Sequence, residues 1–379
     1  MTGVRPHGSD PSRAVAITAG LAVGGCLTWN VSNVGAVADP LSTEYGVSVA
    51  AIGLLTTALF LTHLAIQLPA GRGADRFGAR SIALVAIGAA IVGNGVLLVD
   101  DSFGPALIGR AIVGIGSGAG FVAGLDLVRA GGGGSVLQGL YGGATMAGGG
   151  LALMIVPPLT EAMGWRAAYW SAAVLALTAA LPTLLARGLP HVGHAGEWVI
   201  RDPELFPLGV LHAATFGLAV VAGNWVVPLL ERQGASAAAA GFAGGLILFI
   251  GIVTRPAGGV LAKGGQRRAL VAVSLAGTAC GGALLALGGP FALSVLGALV
   301  LGLSAGLPFA VIFAAAQRVR PDAPAAAIAL VNACAILTIL VGTPLAGLTF
   351  ELPSDGRLAF AAIATLSALA ALALRRARL

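Results

Sequence analysis

What most constrains this chain is how seldom charge interrupts it: long apolar runs follow one another with only short polar breaks. Of its 379 residues, 57% are hydrophobic and only 9% charged, against about a quarter charged in soluble domains. So little charge cannot cover a water-facing surface, and most of the chain must be solvated by lipid. A helix needs roughly 20 mostly apolar residues to cross a bilayer. Punctuating the sequence at charges, Pro and Gly clusters predicts twelve such helices, near 14–38, 47–70, 81–99, 103–128, 136–160, 166–187, 205–230, 237–262, 269–288, 291–316, 323–350 and 357–375. The 58 glycines agree with this reading, because small residues let helices approach closely in a bilayer.

A net charge of +6 would suit nucleic acid, but here the positive residues lie in short connections between apolar runs. There they orient a membrane protein, and no nucleic acid is expected. With the N-terminus cytoplasmic, all of the 21 basic residues except Arg110, Arg166, Arg232 and Arg357 fall on the cytoplasmic side. A wrong helix count would scramble that bias. The longest polar interruption, Arg187 to Glu204, sits mid-chain. The expected organisation is therefore a cytoplasmic tail over 1–13, a six-helix bundle over 14–187, a cytoplasmic central loop over 188–204, and a second six-helix bundle with a short basic tail over 205–379. The apolar stretch after the tail is too long for a signal peptide, so no cleavage is expected. Cys26, Cys280 and Cys334 each lie inside an apolar run without C-x-x-C spacing, which predicts reduced, structural thiols and no metal site.

The sequence also repeats itself. Sliding it by 188 residues pairs Pro40 with Pro228, Gly46 with Gly234, Ser48 with Ser236, Gly71 with Gly259 and Arg80 with Arg268. An ungapped offset that keeps helix starts and a basic loop in phase points to two parallel six-helix halves, with a solute site between them near midplane.

Between the second and third expected helices, Gly71 to Arg80 reads G-x-x-x-D-R-x-G-x-R. Here the chain resembles the major facilitator superfamily, whose signature loop has this pattern in this place. The shifted counterpart, Gly259 to Arg268, keeps the first Gly and the last Arg and loses the Asp. The resemblance implies an all-α membrane protein of twelve transmembrane helices, in two six-helix bundles related by a pseudo-two-fold axis. It implies a plasma-membrane secondary transporter, not an enzyme, working by alternating access. It also implies a gate built on Gly71, Asp75, Arg76, Gly78 and Arg80, with Asp75 and Arg80 holding the halves together when the cytoplasmic side is closed. Asp75 could lie against a helix N-terminus near Pro321 to Pro324, and Asp126 with Arg129 are further members of that charge cluster. Arg110 to Gly116 resembles the family's R-x-x-x-G-x-G element through Arg110 and Gly114. An arginine inside an apolar helix is costly and by default functional; its alternative is to snorkel to the outer interface. Two departures speak against drug/proton exchange. Helix five lacks the family's G-P-x-x-G-G order, and helices one, seven and ten carry no embedded carboxylate.

Polar residues inside apolar helices supply the candidate cavity: Asn30 and Asn33 in helix one, Thr56, Phe60, His63 and Gln67 on one stripe of helix two, His212 in helix seven, Arg255 in helix eight and Asn332 in helix eleven. Any of them could instead serve helix–helix hydrogen bonding. No phosphate loop, metalloprotease or nucleophile-elbow motif occurs, so neither an enzyme, a cofactor nor ATP drive is expected. The expected function is a secondary transporter for a small polar or anionic solute, loosely similar to cyanate-type anion uptake carriers. It would work as a monomer in the bilayer, with protons as candidate coupling ion. The alternatives are efflux of hydrophobic compounds or, in another class, a non-transporting receptor or lipid-handling protein.

Overall fold

The computed structural model describes residues 11–99, 101–194 and 199–379, and these fold as helices and short connections. Most of the expected tail (1–10, with Arg5), Asp100 and residues 195–198 of the central loop lie outside the described residues. Among the described residues are twelve helices long and apolar enough to span a membrane. They are α1 (Ser12–Ser32), α2 (Ala51–Phe77), α3 (Ala79–Val99), α4 (Phe103–Ala130), α5 (Ser135–Met163), α6 (Ala167–Leu185), α7 (Leu205–Arg232), α8 (Ala239–Gly264), α9 (Arg267–Leu287), α10 (Phe291–Val319), α11 (Pro324–Glu351) and α12 (Arg357–Arg375). Number and order agree with the sequence reading. Large apolar side chains such as Leu61, Val85, Leu181, Val253 and Val273 remain more than half exposed, as a lipid-facing surface requires.

Two boundaries differ from expectation. α1 stops at Ser32, and a short helix, Ala38–Tyr45, follows where the first span was expected to end. The signature segment is not a loop: α2 runs on through it to Phe77. Its stop is Gly78, at φ +84°, whose N–H returns to the Ala74 carbonyl. Glycine adopts that conformation without a Cβ penalty.

The repeat is visible in the backbone. Gly46 and Gly234 both take positive φ, +62° and +90°. Two residues on, Ser48 and Ser236 each accept a hydrogen bond from the main-chain N–H three residues later, at 3.2 and 3.3 Å, as helix N-caps. Within the first six helices, α4 packs on α1, α2 and α3; within the last six, α9 packs on α10 and α12, and α8 on α10. Two seams join the sets, α2 against α11 and α5 against α8. The same 188-residue offset relates one seam to the other.

Two spanning helices are discontinuous. α7 passes through a π-helical segment at Ala213–Gly217, directly after His212, and α10 breaks at Leu307 and Pro308. Such irregularities are tolerated at membrane depth where protein or a cavity covers them, and π segments recur at functional sites.

Candidate functional site

The two breaks meet around Arg255. This arginine, grouped by sequence with the basic residues of the cytoplasmic side, is 1% exposed. Its guanidinium lies between the rings of Phe216, in the α7 π segment, and Phe309, just past the α10 break, with centroids at 4.6 and 4.4 Å. Nη1 donates to the Gly142 carbonyl at 3.0 Å and to Thr145 Oγ1 at 2.9 Å, both on α5 across the seam. Close approach requires the glycine: a Cβ at Gly142 would stand 2.7 Å from the Phe309 ring and 2.8 Å from the Arg255 stem. Among the described residues the ion pairs all lie near helix ends, and none includes Arg255 or Arg110. A buried cation without a carboxylate is expensive, and cation–π contacts recover only about 2 kcal/mol when desolvated.

His212 extends the same cluster. Its ring stacks on Phe216 at 5.3 Å and meets Phe313 edge-on at 4.8 Å. His212 and Asn332 interact, but neither His212 Nε2 nor the Asn332 amide closes a hydrogen bond of ordinary length and angle. Gly71 packs against Ala325, Ala326 and Ala329 of the antiparallel α11. One turn further along, this register brings Gln67 level with Asn332. Both amide atoms of Gln67, and His63 Nε2, are likewise buried without a partner. His63 Nδ1 faces Ser117 Oγ at 2.9 Å. Each such orphan costs about 1–3 kcal/mol. Buried amides and ring nitrogens with free hydrogen-bonding capacity near the boundary between the two helix sets could engage a polar solute. A small apolar cleft borders Arg255, walled by Met146, Ala219, Ile247 and Ala305.

Asn30 and Asn33 serve Arg110 instead. Arg110 is fully buried and does not snorkel. Nη2 donates to the Asn30 carbonyl at 2.7 Å, Nη1 to Asn33 Oδ1 at 3.3 Å, and Nε to the Leu55 carbonyl at 3.5 Å. Asn94 donates to Asn30 Oδ1 at 2.9 Å, closing a polar network inside the first six helices. Gly114 lies against Leu59 and Thr62 of α2, where a Cβ has no room.

At the arginine-rich end of the molecule, Asp75 is 2% exposed. Its two carboxylate oxygens each accept one N–H from the first turn of α11, Ala325 and Ala326, at 3.0 Å. A carboxylate there meets both orphan donors and the positive end of the helix dipole. The Asp126–Arg129 pair lies within electrostatic range of Asp75. The sequence reading of Arg80 as a tie between the halves needs correction. Its guanidinium bonds the Thr183 and Leu184 carbonyls at 3.2 and 3.0 Å, at the C-terminal end of α6 in its own half. Orphan carbonyls at a helix end attract a cation, and they are nearer than anything across the seam. Arg76 is exposed, over the ring of Phe77. The central connection also reaches this end: the Gly193 N–H donates to the Asp75 main-chain carbonyl at 3.0 Å. It is pinned further on by Arg320, which joins Asp202 at 2.9 Å and Asp322 at 2.7 Å. The Arg320 hydrogen bonds hold the Asp322 carboxyl below the ordinary aspartate range.

Sequence reasoning missed Thr145, Phe216, Phe309 and Phe313. The only signals were Pro308 inside an apolar run and the four-residue spacing of the two phenylalanines after it.

Comparison with known proteins agrees with this geometry. Residues 20–323 match the family model described as Major Facilitator Superfamily. Inner membrane transport protein YajR of Escherichia coli (strain K12) is 29% identical over 148 residues, 37% of this chain and 32% of that protein. Probable anion transporter 6, chloroplastic, of Arabidopsis thaliana is 28% identical over 140 residues, 35% of this chain and 26% of that one. The chain thus spans about a third or less of the curated relatives it matches. In fold it is similar to the human organic anion transporter MFSD10 (TETRAN), with a TM-score of 0.76, 16% identity and coverage of 96% and 100% of the two chains. It is similar also to the E. coli fucose:proton symporter FucP (N162A), with a TM-score of 0.74, 13% identity and coverage of 96% and 99%. With twelve spanning helices, two repeat-related seams and a matching family model over most of its length, the chain belongs to the Major Facilitator Superfamily.

Proposed function

We propose that this protein is a secondary transporter that carries a small anionic solute between the two helix sets by alternating access. The observation that carries the reading is Arg255: a buried cation that forms no ion pair among the described residues, within electrostatic range of His212, whose neighbour Asn332 lies level with the buried, unbonded amide of Gln67. An anionic solute would neutralise the arginine and satisfy those groups together. The bundles are 14–187 and 205–379. Their arginine-rich end, with both termini and the 188–204 connection, faces the cytoplasm of a bacterial-type inner membrane. Asp75 acts as the latch of that end, because its bonds to α11 exist only while α2 and α11 are in contact. Arg110 organises the first bundle. Support from similarity points the same way: one relative is described as a probable anion transporter and one structural neighbour as an organic anion transporter.

A thermal-unfolding screen of the purified protein tests the site. Nitrate, cyanate, benzoate and succinate are compared with galactose and with tetraphenylphosphonium, at matched ionic strength. At least one anion should raise the melting temperature by a few degrees, as saturating binding does, and Arg255→Gln should lose that response. Stabilisation by galactose or tetraphenylphosphonium alone would refute an anion site.

A further inference from the structure

The two seams are related by the repeat, yet the carboxylate that Asp75 supplies to the first has no counterpart among the described residues at the equivalent position of the second. Across the first, Gly71 of α2 lies against the opening turn of α11, and Asp75 supplies a carboxylate there. Across the second, Gly259 of α8 lies equally close to the opening turn of α5. A Cβ on it would stand 2.8 Å from Val136 Cα, and Ser135 Oγ donates to the Gly259 carbonyl at 2.9 Å. The residue 188 positions after Asp75 is Lys263, which is exposed. The acid of the first seam has become a base in the second.

Next to Ala262, the neighbour of Lys263 in the chain, the second seam opens into a cleft of about 300 Å³. Ser135 and Gln138 of α5 form one wall, Arg267 of α9 and Gln317 and Arg318 of α10 the other. Gln138, 4% exposed, is joined to Gln317 across the seam, its Nε2 lying 3.1 Å from Gln317 Oε1. Arg267 and Arg318 are close enough to repel each other. Neither belongs to an ion pair among the described residues, although Arg320, two residues along, has two acids. Two guanidinium forks facing one cleft match the oxygens of a phosphate group better than a single carboxylate.

We infer that this cleft binds an anionic phosphate group, held by Arg267 and Arg318, in place of the carboxylate that the repeat has lost. Because its walls come from both helix sets, the cleft is complete only while the arginine-rich end is closed. A phosphate bound there stabilises that closed form over the open one, and differential binding of this kind shifts a conformational equilibrium. It acts as a regulator at the seam, separate from Arg255. The same chemistry is offered by free inorganic phosphate and by a phospholipid headgroup.

The test uses purified full-length protein, first in detergent with inorganic phosphate against chloride at matched ionic strength. The second arm uses nanodiscs of phosphatidylglycerol against phosphatidylcholine without added phosphate. The readouts are the melting temperature and the labelling rate of a cysteine engineered at Ala323, with the three native cysteines replaced. Phosphate should raise the melting temperature by about 2 °C or more and slow labelling about twofold or more. Arg267→Gln/Arg318→Gln should abolish both effects while unfolding at the temperature of the unliganded wild type. A response to phosphatidylglycerol alone identifies the headgroup as the source, and a response to phosphate identifies the free ion. Lys263→Asp, which restores the acid, should slow labelling by itself and no longer respond to either anion. That variant keeps the inference testable if the double arginine variant does not fold. Equal responses in wild type and arginine variants, no response in wild type, or a Lys263→Asp protein that still responds like wild type would overturn the inference. The melting-temperature arm requires no transport, so failure of the anion-carrier reading would leave it standing.

Discussion

Asp75 is a single carboxylate that meets two main-chain donors of another helix set, and its charge is the part that matters. Asn in its place keeps one acceptor oxygen and loses the interaction with the helix dipole, worth about 0.3–2 kcal/mol according to burial. Asp75→Asn should therefore raise the labelling rate of a cysteine at Ala323, which is buried while the end is closed. The expected increase is about 2- to 30-fold, at unchanged expression level. An unchanged rate would leave Asp75 a topological charge only. Residues of this kind were legible because polar or charged side chains inside apolar runs need a reason to be there, which singled out Arg110, Arg255, His63, Gln67, His212 and Asn332. Their partners were not. Phe216 and Phe309 are unremarked in a helix facing lipid, and only the fold brings them to either side of Arg255. Arg80 shows the opposite limit: its charge was legible, but its acceptors are main-chain carbonyls of α6, which have no sequence signature.

At the scale of helices, hydropathy recovers number, order and approximate ends, because a bilayer of fixed thickness imposes the length of each span. It does not recover how a helix departs from regularity. The π segment of α7 and the break in α10 lie in runs as apolar as any other, and they turn Phe216 and Phe309 toward one arginine. Nor does it locate the end of α2, which continues through three charged residues because tight packing on α11 and the Asp75 bonds hold it helical. That packing rests on Gly71. A Cβ there would come within 2.7 Å of Ala326 Cα and 2.8 Å of the Ala325 carbonyl, both main-chain atoms that cannot rotate away. Gly71→Ala should thus separate α2 from α11 by a few tenths of an ångström or more. The expected result is faster labelling at Ala323, with the Asp75→Asn change adding little further, since both act on one contact. Fully additive effects would place the two residues in independent contacts.

For the whole molecule, the strongest sequence signal is the asymmetry of the arginines, and it makes a claim about sidedness that can be checked directly. In a background without the native cysteines, a cysteine at Glu44 should react with an impermeant maleimide added to whole cells. One at His194 should react only after the cells are opened. The reverse pattern would invert the topology. The 188-residue offset was also legible, through Gly46 and Gly234 and the caps at Ser48 and Ser236; the unequal chemistry of its two seams emerged only when the helices were packed. The account turns on one buried cation serving an anionic solute, and counterflow in proteoliposomes tests it most directly. Radiolabelled benzoate, cyanate, nitrate and succinate are each offered to vesicles preloaded with the same unlabelled solute, beside galactose as a neutral control. At least one anion should exchange, and Arg255→Gln, reconstituted to the same level, should reduce that exchange about tenfold or more, the effect of losing at least one charge-assisted contact. Exchange of galactose that survives Arg255→Gln, with no exchange of any anion, would contradict the account.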